Sequence, residues 1–280
     1  MDRRTFERII SPVGSAIVIL ILILYLTPIW WGISTSLKPW EYVYTWPPRW
    51  WAPGMTLFFY YKIFVSRPLF HWIWNSLLYA GATTGVVLLF SSIASYSLVR
   101  FRFRGSGKVS FALIATRFIP PISLTVPIFL MSRAWGLYNT LTILVLVTTY
   151  LNLPTQVWLL KAYFEAIPWE MEESAMIDGC TRLGAFFRVI VPMCAHFMAS
   201  AAIITFLGCW NAFYWPLVLT SGPENEVIGL GIYHFIGDGM TYTNEICAGG
   251  IIFSLPAILL CVFAGKYILR GLAVGGLKGL

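Results

Sequence analysis

Polar and apolar positions along this chain fall into long blocks, not into the short alternations of a soluble fold. Residues 9–37, 68–99, 134–160, 189–223 and 246–265 contain no Asp, Glu, Lys or Arg, and 109–132 contain only Arg117. About 20 apolar residues carry a helix across the hydrocarbon core of a bilayer, so each block is long enough to span it. Six helices are expected, with cores near 14–34, 74–97, 110–131, 138–160, 196–219 and 248–268. The run MTLFFYYKIFV at 55–65 is shorter, carries Lys62, and reads as interfacial.

Composition agrees with an all-α integral membrane fold. The chain is 58% hydrophobic and 11% charged, with a mean hydropathy of +0.75, where a soluble domain carries about 25% charged residues. Its basic residues sit at the ends of the apolar blocks. With the N-terminus inside, thirteen Lys and Arg fall on the cytoplasmic side and five (Lys38, Arg49, Lys62, Arg67, Arg133) on the outer side. Positive residues are retained inside, which predicts that both termini are cytoplasmic. The net charge of +7 is thereby read as a topology signal, not as a nucleic-acid surface. MDRRTFERIISPVGS is expected to lead into the first span without cleavage, since the apolar run after it is too long for a signal peptide. PWEYVYTWPPRWW then lies in the first outer loop, where Trp and Tyr suit the headgroup level.

Little in the chain points to chemistry of its own. The five cysteines and three histidines are scattered, with no CxxC pair, so neither a disulfide framework nor a metal site is expected. All twelve acidic residues lie outside the span cores. A proton-driven carrier usually needs an intramembrane carboxylate or His relay; an ion-coupled secondary transporter with sodium sites made of backbone carbonyls remains the alternative. A membrane-embedded enzyme would need a paired nucleophile and base, or a metal cluster, and none is visible. RFRGSGKV approaches a phosphate loop, but Arg102 stands at the first Gly and Val109 at the Ser/Thr, so it can neither cradle phosphates nor hold magnesium. YHFIGDG fails the dinucleotide pattern as well. The chain reads as non-enzymatic, and any ATP hydrolysis must occur on another polypeptide.

One segment breaks the apolar pattern: EESAMIDGCTRLGAFFRVIVP, Glu172 to Pro192, within a connection over 163–192. Pro168 suits the first helical position, and Glu170, Glu172 and Glu173 fall where the helix dipole favours carboxylates. Gly179 can end that helix in the left-handed conformation. Thr181 can cap a second helix through Arg182, Phe186, Phe187 and Ile190, and Pro192 punctuates entry into the fifth span. The result is a helical elbow of about thirty residues, where a plain connection needs about 2–8. Trp169, Met176, Ile177 and Phe186 are expected to be exposed and to require cover, from a partner or from packing beneath the bundle.

Glu173-Ser174-Ala175, Asp178-Gly179 and Pro192 resemble the EAA loop of binding-protein-dependent ABC importer permeases, with Ser174 at the first Ala and Cys180 where Ala is common. SLKPWE, WNSLLYAGATTG, RFRFRG, RFIPP, WNAFYWPLVLT and GLAVGGLKGL extend the resemblance over nearly the whole chain, toward carbohydrate permeases of the maltose-permease type. This resemblance implies a type I ABC importer permease fold with six spans. It also implies a second permease subunit forming a heterodimer, an ATPase dimer that uses ATP and Mg, an extracytoplasmic solute-binding protein and a carbohydrate substrate. The elbow is then a coupling helix, with Glu172, Glu173, Ser174, Ala175, Ile177, Asp178, Gly179, Phe186 and Pro192 as its residues. Glu173 would pair with a basic residue of the ATPase, while Ala175 and Gly179 permit close approach. Gly275, Gly276 and Lys278 form a tail that either contacts the ATPase or frays.

Candidates for the substrate path are polar or aromatic residues inside spans. Arg117 costs several kcal/mol within a bilayer, about 3 to above 10. It either bonds carbonyls freed near Pro120-Pro121 or touches substrate, in which case an anionic sugar becomes attractive. Trp210, Asn211, Tyr214 and Trp215 combine ring faces with an amide, suited to sugars, although such residues also anchor spans at the interface or bond other helices. Tyr150, Asn152 and Gln156 are further candidates. The outer loop over 221–246 carries Glu224, Glu226, Asp238 and Glu245, which could meet the binding protein.

Overall fold

The computed structural model describes residues 3–101, 103–235 and 242–276, with side chains described for 12, 14–101, 103–235 and 242–262. Every regular element among them is helical. In chain order these are α1 (Arg3–Leu37), α2 (Phe58–Ser66), α3 (Leu69–Arg100), α4 (Ser106–Ala115), α5 (Thr125–Ala134), α6 (Leu141–Glu165) and α7 (Trp169–Ile177). There follow α8 (Arg182–Ala185), α9 (Val191–Met193), α10 (Ala195–Trp210), α11 (Tyr214–Leu219), α12 (Ile228–Gly231) and α13 (Thr243–Gly276). Among the described residues, four helices are long and apolar enough to cross a membrane: Gly14–Leu37, Leu69–Arg100, Leu141–Glu165 and Thr243–Val262.

Two expected spans are broken instead of continuous. Ser106–Phe118 and Pro121–Ala134 meet at 87°. Pro120 and Pro121 explain the break. They donate no backbone hydrogen bonds, and a proline drives the residue before it out of the helical region; Ile119 is extended at φ −74°, ψ 118°. Arg182–Met193 and Ala195–Trp210 meet at 76°. That bend precedes the span expected over 196–219, which is itself interrupted once, because α10 stops at Trp210 and α11 begins at Tyr214.

The chain divides into two units, 1–68 with 232–254 and 69–231 with 255–280. In the first, the aromatic loop folds back on the end of α1. Trp50 meets Trp31 edge to face at 5.0 Å and Trp51 meets Trp30 at 5.5 Å. The segment read as interfacial forms α2, whose Lys62 pairs with Glu245 at 2.6 Å. Asn244 donates to the carbonyls of Thr35 and Lys38 at 3.1 and 2.6 Å. Asp238 lies outside the described residues.

The second unit is a packed trio of α3, α6 and α10. Within a bilayer, helices associate through close packing and hydrogen bonds, not through the hydrophobic effect. Both devices are present here. Ser91, Ser95 and Ala201 are buried small residues. Tyr79 bonds Thr148 at 2.6 Å, Ser95 donates to the Val157 carbonyl at 2.8 Å, and Gln156 donates to Thr205 at 2.9 Å. Two apolar clusters flank these bonds, one around Tyr79, Leu144 and Leu219, the other around Tyr96, Phe164, Phe186 and Ile190.

Candidate functional site

The elbow is built from its caps upward. Glu170 and Glu172 occupy the first turn of α7, at the positive end of its dipole. Pro168 takes the N-cap position with φ −56° and ψ 139°, one residue earlier than expected. At the far end Gly179 has φ +91°. Its N–H bonds the Met176 carbonyl at 3.1 Å, while Cys180 N–H bonds the Ala175 carbonyl at 3.0 Å. These two bonds close a Schellman motif, which needs a residue at positive φ and so favours Gly. Thr181 caps α8, accepting from Gly184 N–H at 3.1 Å. Phe186–Ile190 then forms a wide i→i+5 turn, a device that often accompanies functional kinks, and Pro192 sits in α9 just before the bend into α10.

Among the expected coupling residues, Glu173, Ser174, Ile177, Asp178 and Gly179 are exposed, and Ile177 retains 85% of its accessible surface. Leu183 and Phe187 are exposed beside them. Two expectations are corrected, the exposure of Phe186 and the full exposure of Trp169 and Met176. Phe186 is buried, its ring tilted against that of Tyr96 with centroids 4.6 Å apart. Trp169 and Met176 are only half-exposed. Glu172 is 1% exposed, because α7 rolls it inward onto Arg100 at 2.9 Å, with Tyr96 donating to its other oxygen at 2.5 Å. Arg100 and Tyr96 are thus site residues that charge counting missed, since a basic residue closing a span reads simply as a topology signal. Of the expected tail, Gly275 and Gly276 end α13, and Lys278 lies outside the described residues.

The substrate-path candidates separate in the same way. Arg117 is exposed and donates to the Leu151 carbonyl at 2.6 Å. That carbonyl lies three residues before Pro154, a proline inside α6. Arg117, Tyr150, Pro121 and Leu151 line a cavity of about 110 Å³. Tyr214 bonds Thr125. Asn211 is exposed and bonds back to Leu207 at 2.9 Å, and Asn152 bonds Thr148 at 2.8 Å. Trp210, Trp215 and Gln156 are buried, so they are directed into helix packing. In the loop after α11, Glu224 is exposed but Glu226 is buried and accepts from Trp72 at 2.9 Å. Asn75 holds the Glu224 and Glu226 carbonyls at 2.9 Å each, and Ser76 accepts from Ile228 N–H at 2.7 Å. Asn75 and Ser76 of the WNS triplet therefore clamp the backbone of that loop, while Trp72 holds its Glu226 side chain. Glu245, bound to Lys62, is likewise turned inward.

The chain is 34% identical over 260 residues to the sulfoquinovosyl glycerol transport system permease protein SmoH of Agrobacterium fabrum, covering 93% of this chain and 91% of that protein. It belongs to the permease subunits of ABC sugar importers. A second relative of this permease is the trehalose transport system permease protein SugB of Mycobacterium tuberculosis, 32% identical over 91% of this chain and 93% of that one. The inner membrane ABC transporter permease protein YcjP of Escherichia coli is 29% identical over 99% of each chain. No family model matches the permease. Its fold is that of a chain in the crystal structure of a bacterial ABC transporter that imports the acidic polysaccharide alginate, with a TM-score of 0.80 at 21% identity over 95% of this chain and 98% of that one. The permease is a multi-pass inner-membrane subunit, and ATP hydrolysis belongs to a separate subunit.

Proposed function

We propose that residues 1–280 act as one permease domain, paired with a non-identical second permease, an ATPase dimer and an extracytoplasmic solute-binding protein. Each broken pair counts as one span, giving six, with both termini cytoplasmic. ATP and Mg act on the partner ATPase, and the cargo is a sugar or sugar derivative moved by alternating access. Support for a sugar cargo comes from relatives whose names specify sulfoquinovosyl glycerol and trehalose. Support for a binding-protein partner comes from an alginate importer solved with its periplasmic protein, a fold match with a TM-score of 0.69 at 16% identity over 95% of this chain and 96% of that one.

The observation that carries the coupling role is the elbow itself. Two caps stiffen it, and it presents Glu173, Ser174, Ile177 and Asp178 outward while Ala175 and Glu172 point in. A rigid lever with an exposed apolar tip suits a socket on a moving partner. Glu173 meets a basic ATPase residue, Gly179 keeps the turn tight, and Arg117, Asn152, Asn211 and Tyr214 lie along the substrate path.

Purification of the tagged chain from native membranes tests this reading, followed by uptake of neutral and anionic glycosides into vesicles. The ATPase and a second permease should co-purify, and uptake should stop on ATP depletion yet survive an ionophore. Uptake that persists without ATP and collapses with ionophore would replace this reading with ion-coupled transport.

A further inference from the structure

The most heavily buried ion pair among the described residues joins the elbow to the chain's own second span. Arg100 is the last residue of α3 and Glu172 lies in the first turn of α7. Their side chains are 4% and 1% exposed, with Arg100 Nε 2.9 Å from Glu172 Oε2. Each charge sits where its helix dipole favours it, cation at a C-terminus and anion at an N-terminus. A second guanidinium nitrogen donates to the Ile167 carbonyl at 3.3 Å, just before α7.

Contacts continue outward and inward from this pair. The guanidinium lies 4.9 Å from the Trp169 ring centroid, and the Trp169 indole donates to exposed Glu173 at 2.7 Å. On the inner side Tyr96, one turn back along α3, donates to Glu172 and packs its ring at a tilt against Phe186 of the elbow's second half. Beside Arg100 and Trp169, between the end of α3, the start of α4 and the entry to α7, lies a cavity of about 540 Å³. Packing is therefore incomplete on that flank of α7.

We propose that Arg100, Glu172 and Tyr96 form a latch that makes α7 and α3 move as one body, so that a displacement at Glu173 and Ile177 reaches the second span. This rests on the coupling role proposed for the elbow and names its connection within the chain. All three are positioning residues; none touches cargo or nucleotide. A buried pair serves this purpose because it costs desolvation unless both partners stay in register. It therefore penalises sliding of α7 along α3 more sharply than apolar contacts would.

The test uses the intact importer in proteoliposomes, spin-labelled at Met171 on α7, outside the residues given to the docking tip, and Ile93 on the second span, both exposed in this chain. Their separation is measured with and without ATP, Mg and vanadate. In the wild-type background it should not change with nucleotide. In Glu172→Gln, a nearly isosteric change, the population whose separation shifts on adding ATP and vanadate should rise about fivefold or more, the lower end of the roughly 5–150-fold range for coupling between sites. Arg100→Lys, which keeps a cation facing Glu172 at the end of α3, should keep a response close to wild type. Tyr96→Phe, which removes a single hydroxyl, should shift it in the direction of Glu172→Gln. A separation that changes with nucleotide in the wild type, or stays invariant in Glu172→Gln, overturns the latch while leaving the elbow's coupling role standing. Absence of the ATPase from the wild-type complex overturns that role and the latch together.

Discussion

Gly231 offers the clearest point at which to strain the second unit. A Cβ built there falls 2.4 Å from Trp72 Cε3 and 2.5 Å from Cδ2, whereas carbon atoms rest about 3.5–4.0 Å apart. Gly231→Ala must therefore move the indole by about 1 Å or more. Trp72 is 2% exposed and donates to Glu226 at 2.9 Å, so retreat stretches that bond past the usual limit of about 3.2 Å. Overpacking costs about 1–3 kcal/mol and a hydrogen bond to a charged group contributes about 1.5–3 kcal/mol. Partial relaxation leaves a net loss of about 3 kcal/mol. Denaturant titration of the purified importer in detergent, followed by tryptophan fluorescence, measures it. Gly85→Ala is the control, since nothing lies within 4 Å of its added Cβ. Trp72→Phe combined with Gly231→Ala should cost less than the two single changes added together, because both act on one contact. If Gly231→Ala unfolds within about 0.5 kcal/mol of wild type, a range typical of surface changes, the close packing at this glycine is refuted.

Three further outcomes are expected. Glu173→Arg or Gly179→Asp should abolish ATP-driven uptake while the protein still inserts; at φ +91° a side chain also adds about 1–2 kcal/mol of strain, and wild-type uptake in both variants would remove the elbow from the mechanism. Lys62→Met strands Glu245, which is 4% exposed against 41% for Lys62; with solvent screening on the lysine side the loss should be about 1–2 kcal/mol, and Lys62→Met with Glu245→Gln should recover most of it. Burial of Lys38 lowers its pKa from 10.5, with Nζ unbonded to oxygen and 3.9 Å from the Trp31 ring centroid. Between that lowered pKa and 10.5 the unfolded chain binds more protons, so stability rises with pH across the window and the penalty is fully present below it. Lys38→Met should flatten the alkaline rise measured by thermal unfolding, and an unchanged slope would reject the buried ammonium.

Much of this protein was legible from charge placement alone, because a bilayer tolerates no long polar block inside a span. That constraint located the four continuous helices to within several residues and isolated the elbow as the one polar interruption. Elbow chemistry was legible for the same reason that short-range rules work: Gly179 and Thr181 act within a few bonds of their own backbone, and both do what their types predict. Proline was half-legible. Pro120-Pro121 announced a break, but an 87° turn depends on what the two halves pack against.

Local sequence could not decide which way α7 faces. Glu172 and Glu173 are neighbours of identical charge, yet a helical step of about 100° places one in a buried ion pair and the other in solvent. Arg100 lies seventy-two positions from its partner, so nothing near either residue records their meeting. Glu226, Glu245 and Trp210 point the same way, since each turns inward only because a distant helix supplies a donor or a packing surface. Block hydropathy, then, determined the membrane class and the approximate places of the long apolar helices, and set the polar elbow apart from them, because transfer into lipid is priced residue by residue. Side-chain direction and long-range pairing belonged to the tertiary structure, because they depend on helix rotation and on neighbours that adjacent sequence does not encode.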